Sequence, residues 1–204
     1  MATDVYTIVP GINYAKKNLK RWMSDSKRKP NFPLGLLGAK AKVSYQPLGT
    51  VGMISPWNFP VYLTFAPLSS IFAAGNQVMH KPSEYTEQTS NLLKELCDKA
   101  FDEHEFATVL GGPDVGASFT QLKFDHLLYT GSGAVAKHIM KAAAENLVPV
   151  TLELGGKSPT IILADADLDK VMPLAARSAF MFAGQACIAS SRFYVERPLY
   201  DEFV

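Results

Sequence analysis

Cysteine is scarce in this sequence, and its placement excludes two kinds of site. The 204 residues contain only Cys97 and Cys187, ninety positions apart, with no Cys-x-x-Cys or Cys/His pairing. A disulfide framework needs several cysteines, and a zinc site needs closely spaced Cys or His ligands. The sequence therefore predicts no metal site and, by default, a reducing, cytoplasmic location.

Long apolar runs and an excess of one charge are also missing. The most apolar segment, residues 61–74, is interrupted by Thr64 and Pro67, so it falls short of the roughly 18 residues that a membrane-spanning helix needs. The first residues lack the basic and then apolar stretch of a signal peptide. A formal net charge of +1 favours neither nucleic acid nor an anionic membrane as a partner. We therefore expect an ordinary folded, soluble protein.

Short apolar runs alternate with longer amphipathic ones from position 50 onward. The predicted strands are 50–54, 77–80, 107–110, 126–129 and 150–153. The predicted helices are 61–74, 87–101 and 134–145, of which 87–101 has the clearest periodicity, in Leu92, Leu93, Leu96 and Cys97. Continuous apolar runs indicate strands covered on both faces. The pattern predicts an α/β fold with a Rossmann-like parallel sheet, helices on both faces, and ligand sites in the loops after the strands.

The first fifty residues differ in kind. Apolar residues from Ile12 to Met23 form a narrow stripe at helical spacing, and seven of the 20 basic residues lie between Lys16 and Lys29. A solvated outer helix face is the favoured interpretation of this charge, ahead of a nucleic-acid or lipid surface. Residues 41–46 form a predicted strand outside the main alternation. Such an isolated strand predicts a hairpin whose edge needs a partner.

A glycine-rich loop follows the predicted strand 126–129. Residues 131–136 are Gly-Ser-Gly-Ala-Val-Ala at the start of the next predicted helix. Small residues let the backbone approach a pyrophosphate, whose charge is met by free N–H groups and the positive end of the helix dipole. A tight turn without a ligand is the alternative, because the motif alone is not specific. Its strand-to-helix position favours a dinucleotide-binding site.

Glu153 allows three interpretations. It stands twenty positions after Gly133, near a predicted strand end, where a dinucleotide-binding fold has an acid for the ribose hydroxyls. The glycines that follow, Gly155 and Gly156, indicate instead that another backbone or a ligand approaches closely, with the carboxylate at a reaction centre. A solvated glutamate at a strand end is the third alternative.

Two more loops follow predicted strands. Pro56 and Pro60 predict a rigid loop that aims the carboxamide of Asn58 as a hydrogen-bond donor, with a plain turn as the alternative. Lys81 and Glu84 place a cation and an anion three positions apart, which suits ribose hydroxyls or a surface ion pair. Taken alone, Lys81 and Glu84 favour the ion pair.

The two thiols have different surroundings. Cys187 lies in a loop of small residues, 184–191, after a helix predicted to begin near Asp167. Backbone donors can flank a thiol there, and the thiolate is the useful nucleophile. Cys97 lies on the apolar face of its helix, which predicts a buried, inert cysteine. The sequence therefore favours Cys187 as the reactive thiol.

Five motifs, in chain order, resemble those of the aldehyde dehydrogenase superfamily. They are Pro56-Trp-Asn-Phe-Pro60, Lys81-Pro-Ser-Glu84, Tyr129-Thr-Gly-Ser132, Leu152-Glu-Leu-Gly-Gly-Lys157 and Gly184-Gln-Ala-Cys187. The resemblance runs from about Lys16 to Val204. Residues 14–23 and 47–52 look most like the class 3-like, coniferyl aldehyde dehydrogenase branch. One departure is Ala136, which stands where the family has a closing glycine.

The resemblance implies oxidation of an aldehyde to its carboxylic acid with NAD(P)+, the branch suggesting an aromatic, coniferyl aldehyde-like substrate. Cys187 would attack the aldehyde carbon, and the Asn58 side chain and the Cys187 N–H would hold the oxyanion. Loss of hydride then leaves a thioester, which water activated by Glu153 hydrolyses. In this interpretation the ribose acid is Glu84, and Glu153 is catalytic. The rival is a dehydrogenase in which Glu153 binds the ribose.

The resemblance also implies a set of cofactor-binding residues. Lys81 and Glu84 would bind the adenosine ribose, and the Leu154 backbone the nicotinamide amide. The pyrophosphate side would be met by residues 131–136, here Gly131, Ser132, Gly133 and Ala136. Four further positions complete the set, namely Ile54, Ser55, Trp57 and Gly116. NAD is the expected cofactor, and NADP stays open because Glu84 disfavours a 2′-phosphate whereas Lys81 attracts one.

The resemblance further implies a domain organisation. Residues 1–29 would be a basic helix of the NAD(P)-binding domain, 30–48 an oligomerisation hairpin, 49–164 the remainder of that domain, and 165–204 the start of a catalytic domain. Family enzymes are more than twice this length, so we expect an internal fragment that does not turn over alone. The alternative function is a nucleotide-binding module without turnover. A homodimer or larger assembly is expected for the parent protein.

Overall fold

The computed structural model describes residues 2–204, which form two compact units. The first comprises the chain up to Thr130 together with Val135–Leu152, and the second comprises Gly131–Ala134 with Glu153–Val204. The helices are α1 (Ala2–Val5), α2 (Ile8–Trp22), α3 (Tyr62–Ala73), α4 (Glu87–Ala100), α5 (Pro113–Thr120), α6 (Gly133–Glu145), α7 (Leu168–Phe180) and α8 (Arg197–Phe203). The strands are β1 (Ser26–Arg28), β2 (Ala41–Val43), β3 (Thr50–Ile54), β4 (Gln77–Lys81), β5 (Phe106–Thr108), β6 (His126–Gly131), β7 (Val150–Leu154), β8 (Pro159–Ile162) and β9 (Arg192–Val195).

A five-stranded parallel sheet flanked by helices confirms the predicted fold class. Its strand order is β5-β4-β3-β6-β7. Each face has its own core, because successive side chains of a strand point to opposite faces. Leu127 and Tyr129 pack with residues of α5 and α6, whereas Leu128, between them, packs on the other cluster with Met53 and Cys97. Burial on both faces explains the continuous apolar runs of these strands.

Two helices of the first unit differ from the sequence prediction. In α4, Ser90, Leu93 and Cys97 are buried, whereas Leu92 and Leu96 are about half exposed, so the buried stripe is narrower than the apolar one. Helix α5 was not predicted, although Pro113 at its first turn is a known start signal, because its eight residues carry little apolar periodicity.

The N-terminal part contains the predicted basic helix and a hairpin. Helix α2 contacts α3, and of its predicted apolar stripe Ala15 is buried whereas Ile12 and Met23 are exposed. Strand β2 ends at Val43, short of the predicted position 46, and pairs antiparallel with β1. The hairpin therefore begins before residue 30. Hydrogen bonds from Lys42 and Ser44 reach the Asp25 carboxylate and lower its pKa.

The second unit is built on a small parallel pair of strands. Strands β8 and β9 pair from Pro159 with Arg192 to Ile162 with Val195. Helix α7 begins after Asp167, as the sequence predicted. The compact units change over at Glu153, whereas the domain assignment from the resemblance has its boundary at 165, and that functional assignment stays a prediction. Among the helices formed by residues 2–204, none has both the length and the apolar character needed to cross a membrane.

We expect Gly52→Ala to destabilise the first unit. Gly52 is buried in β3, and a Cβ there would lie 2.6 Å from two ring carbons of Phe124, itself packed in a core. Overpacking of this kind costs about 1–3 kcal/mol. Urea unfolding measures the change. The matched control is Gly11→Ala in α2, where a Cβ meets nothing within 4 Å and the unfolding free energy should rise by about 0.5–1 kcal/mol. Equal stability of the two variants would contradict the packing assignment.

Candidate active site

The ends of β3 and β4 bring several predicted cofactor residues together in the first unit. Ile54 is paired with Lys81, and Ser55 N donates to Lys81 O at 3.2 Å. Ile54 packs against the core and Ser55 is buried, so neither side chain is open to solvent in the way that Trp57 is. Asn58 follows in the same loop and is half-buried. The loop after β3 is thus held at the carboxyl end of the sheet, where parallel folds bind ligands.

Lys81 and Glu84 form an ion pair that is not a surface pair. The Lys81 side chain is only 4% exposed, and its Nζ donates to Glu84 Oε2 at 3.1 Å and to Pro82 O at 3.0 Å. The pKa of Glu84 is lowered, because its backbone hydrogen bond and the charge of Lys81 outweigh the effect of burial, which raises it. The expectation of a surface ion pair is therefore wrong for Lys81. A buried ammonium beside a partly open carboxylate suits vicinal hydroxyl groups.

Gly116 supports Lys81 from α5. A Cβ on Gly116 would lie 3.4 Å from Lys81 Cε, an ordinary van der Waals contact, so Gly116 lies directly beside the lysine stem. The structure thus associates Gly116 with the ribose-type pair, in a helix that sequence analysis did not predict. Its role as a direct cofactor ligand stays a prediction.

The glycine-rich loop connects β6 to α6 as its sequence pattern predicted. Gly131 ends β6 and Gly133 begins α6, with exposed Ser132 between them. A Cβ on Gly133 would meet nothing within 4 Å, so the described chain leaves this helix start open. Ala136 is buried in the core, which is the close-packing position of the fingerprint rather than a ligand contact.

Glu153 and its glycines lie at the end of β7. Glu153 and Leu154 are both exposed, and Leu154 is the last residue of the strand. A Cβ on Gly155 or Gly156 would meet nothing within 4 Å. Nothing that the structure describes lies within 4 Å of these positions, and the close approach of a ligand or another backbone stays a prediction.

Cys187 lies in a loop with an unusual backbone. Phe182 and Ala183 have φ values of 56° and 55°, and Gly184 has 73°, so three successive residues are left-handed just before the thiol. Each such non-glycine residue costs about 1–2 kcal/mol, and strain of this kind concentrates at functional sites. Cys187 is exposed. Among residues 2–204, no backbone carbonyl outside the helices and strands accepts from its N–H.

A serine cluster that the sequence analysis missed fixes the far end of this loop. Ser190 Oγ lies 2.7 Å from Ser178 Oγ on α7 and 2.8 Å from Thr160 Oγ1 on β8. Ser191 N also donates to Ser158 O at 3.1 Å. In the sequence, the adjacent serines after Cys187 are two more small residues of the loop. Only their hydrogen-bond partners show that they anchor the loop to a helix and a strand.

Cys97 has the opposite environment and is confirmed as a buried cysteine. It is 2% exposed, and burial, with a smaller contribution from Asp98, raises the pKa of its thiol to about 11. Among residues 2–204, no three or more His, Cys, Asp and Glu side chains are grouped so that they could hold a metal ion.

Each compact unit, taken by itself, has donor groups of a kind that a nucleotide binds. The pair formed by Lys81 and Glu84 suits hydroxyls, and the N–H groups at Gly133 suit phosphate oxygens. A parallel sheet with such loops at the carboxyl ends of its strands is typical of dinucleotide-binding folds. The model of the aldehyde dehydrogenase family matches residues 1–204. The chain therefore belongs to the aldehyde dehydrogenase family, and this membership supports a nicotinamide cofactor.

Relatives and solved structures agree with this assignment. A probable coniferyl aldehyde dehydrogenase of Caulobacter vibrioides is 53% identical over 200 residues, which are 98% of this chain and 41% of the relative. The substrate-bound state of Staphylococcus aureus AldH superposes with a TM-score of 0.92 at 35% identity, covering 99% of this chain and 44% of that one. The NAD+ complex of a Bacillus cereus aldehyde dehydrogenase has a TM-score of 0.87 at 32% identity, with coverages of 98% and 40%. The chain thus spans about two fifths of the length of these proteins.

Proposed function

We propose that the protein carrying this chain oxidises an aldehyde to its carboxylic acid with NAD(P)+. The observation that carries the proposal is the Cys187 loop, which combines an exposed thiol with left-handed backbone in a chain of this family. A nucleophile needs access, and the oxyanion that it creates needs a fixed donor. Cys97, the other thiol, has neither access nor a suitable pKa.

Cys187 forms the first bond. Its thiolate adds to the aldehyde carbon, and the carbonyl electrons move onto oxygen, where the Cys187 N–H and the Asn58 carboxamide donate to the oxyanion. Each donor of this kind is worth about 3–4 kcal/mol. When bound, NAD(P)+ supplies the acceptor for the hydride that leaves this carbon. What stays on Cys187 is a thioester.

Glu153 completes the reaction as general base. Its carboxylate takes a proton from water, whose oxygen attacks the thioester carbon, and the C–S bond breaks to release the carboxylic acid and the Cys187 thiolate. The exposed position of Glu153 at the end of β7 supports this role, because the base must meet water. The exposed Gly155 and Gly156 beside it leave space for a ligand.

We propose NAD rather than NADP as the cofactor. Glu84 repels a 2′-phosphate, and the Lys81 ammonium that could bind one is already engaged by Glu84 and by Pro82 O. An aromatic, coniferyl aldehyde-like compound is the proposed substrate, supported by the name of the Caulobacter vibrioides relative. Titration with NAD+ and NADP+, and rates with aromatic and aliphatic aldehydes, test both assignments. Equal affinity for the two cofactors would contradict the first.

Glu153→Gln tests the proposed role directly. In a protein carrying this chain we expect NAD+ affinity to stay within about twofold and thioester hydrolysis to fall by at least about 100-fold, because a general base contributes 10²- to 10⁴-fold. Rapid-quench analysis of the acyl-enzyme, with calorimetric titration of NAD+, measures the two quantities. Glu103→Gln, at another exposed glutamate, is the control and should change neither. A loss of NAD+ affinity with hydrolysis preserved would instead support Glu153 as a ribose ligand.

We also propose that the β1–β2 hairpin contributes to a homodimer or larger assembly. The segment between its strands exposes Phe32, Leu36 and Leu37 at about 80% or more of their surface. Apolar groups that are exposed together mark interaction surfaces. Sedimentation of a protein carrying this chain should show a dimer or larger species, and Leu36→Lys with Leu37→Lys should shift it toward monomer. A monomeric parent protein would refute this proposal.

A further inference from the structure

A buried polar cluster lies beneath the loop that carries Asn58, outside the chemistry proposed above. His80 on β4 and Thr64 in α3 are both 0% exposed, and Ser55, just after β3, is 2% exposed. Burying polar groups is unfavourable unless they are hydrogen-bonded to one another. The hydrogen bonds among these side chains therefore show how the cluster is connected to the loop 55–60.

Three contacts join these side chains, and a fourth joins them to the backbone. His80 Nε2 lies 2.7 Å from Ser55 Oγ and 3.3 Å from Thr64 Oγ1, and the two hydroxyl oxygens are 3.2 Å apart. Thr64 Oγ1 also donates to the Pro60 carbonyl at 2.7 Å. His80 Nδ1 has no partner among the described residues. The cluster therefore hydrogen-bonds through one side of the imidazole.

Counting protons assigns the direction of each bond. A carbonyl only accepts, so the short bond to Pro60 takes the Thr64 proton. The contact between the hydroxyls also has Thr64 as its donor, so Pro60 O and Ser55 Oγ share this proton, and another lone pair of Ser55 Oγ is free to accept from His80 Nε2–H. This leaves His80 Nδ1 as an unpaired acceptor, which costs less than an unpaired buried N–H. The opposite tautomer would bury an N–H without a partner.

The result is a hydrogen-bonded chain of side chains that reaches both ends of the loop 55–60. It runs from His80 through Ser55 and Thr64 to the Pro60 carbonyl, and residues 55 and 60 bracket Trp57 and Asn58. We propose that His80, as its neutral Nε2–H tautomer, is a positioning residue that holds the loop 55–60 on the sheet. The role of Asn58 in catalysis rests on the proposed function, whereas the order of the loop does not.

The experiment compares two uncharged replacements of different reach. The amide nitrogen of Gln in His80→Gln can occupy the place of imidazole Nε2, whereas His80→Leu fills the space without a donor. Both are made with Trp22→Phe, because Trp57 is then the only tryptophan. Acrylamide quenching of Trp57 reports the loop, and calorimetric titration of NAD+ reports the nucleotide site. Unfolding curves confirm that each variant is folded.

We expect His80→Leu to raise the Trp57 quenching constant about twofold and His80→Gln to leave it near the parent value. Ser55→Ala should resemble His80→Leu, and combining Ser55→Ala with His80→Leu should add little, because both changes break one chain. In the unsubstituted chain, ¹⁵N NMR of the imidazole should show the Nε2–H tautomer.

Three results would overturn the proposal. These are an Nδ1–H tautomer, unchanged Trp57 quenching in His80→Leu, or an equal increase in His80→Gln and His80→Leu, which would mean that only the volume of His80 matters. If His80→Leu does not fold, the tautomer found by ¹⁵N NMR and the Trp57 quenching of His80→Gln test the proposal. The parent chain could fail to bind NAD+ while Trp57 quenching changes as expected. That result would refute the cofactor assignment but not the proposal that His80 holds the loop 55–60.

Discussion

Iodoacetamide at pH 7 should alkylate Cys187 at least about 100 times faster than Cys97 in the folded protein. Cys187 is exposed, whereas Cys97 is 2% exposed on α4 and has its pKa raised to about 11, first by burial and then by Asp98. At pH 7 that pKa leaves about one Cys97 thiol in 10⁴ as the reactive thiolate. The reagent must also wait for local opening of the helix. Access and ionisation therefore act in the same direction.

Peptide mapping after brief treatment measures the two rates in one sample. Labelling in urea, where both thiols are accessible, provides the reference, and Cys187→Ser isolates the slow reaction of Cys97. Faster labelling of Cys97 in a folded sample would mean that the thiol assignments are reversed, and the proposed nucleophile would be lost with them.

The unfolding free energy should fall by up to about 4 kcal/mol through His80 alone as the pH is lowered from 6.5 to 3. Burial, and to a smaller extent the charge of Lys81, lowers the pKa of His80 from 6.5 to about 3. The folded state keeps the imidazole neutral while the unfolded chain binds a proton below pH 6.5. The stabilisation is therefore complete above pH 6.5 and is lost progressively as the pH falls toward 3, at about 1.4 kcal/mol per pH unit.

Urea unfolding at pH 7, 5.5 and 4.5 tests this effect as a difference between variants. Carboxylates also titrate at the lower end, so the informative quantity is the gap between the parent chain and His80→Leu, which should narrow as the pH falls. His138→Gln, at an exposed histidine on α6, is the control and should follow the parent. A gap that is independent of pH would show that His80 is not held neutral by folding.

Prediction from sequence succeeded where local pattern and tertiary environment agree. Strand β3 was predicted with its observed bounds, since a strand buried on both faces has a continuous apolar run. Helical periodicity did not predict the exposure of Leu92 and Leu96 on α4. Periodicity shows which residues share a face of a helix, and it does not show how wide a stripe of that face the neighbouring elements cover. Helix α5 was missed for lack of any apolar stripe.

The residues of the candidate site likewise fall into those that a local motif marks and those that only tertiary contacts reveal. Cys187, Glu153 and Asn58 could be proposed as site residues because each stands in a local motif after a strand or helix, and their roles stay predictions. No local motif marked His80 as a functional residue. The sequence around a lone histidine in an apolar strand is the same whether or not its side chain contacts two hydroxyl groups. The burial of Lys81 was likewise hidden, since Gly116, which lies beside its stem, is distant in sequence.

By itself the sequence determined the parallel α/β class, the alternation of the five strands of the large sheet with α3, α4 and α6, and the family, because apolar runs and local motifs depend on neighbours in sequence. The tertiary structure alone decided which polar groups are buried together: His80 with Ser55 and Thr64, Lys81 beneath Glu84, and Ser190 between Ser178 and Thr160. Hydrogen bonds form over about 3 Å between atoms whose residues lie many positions apart. Only the packing of one strand or helix against another brings those atoms within reach.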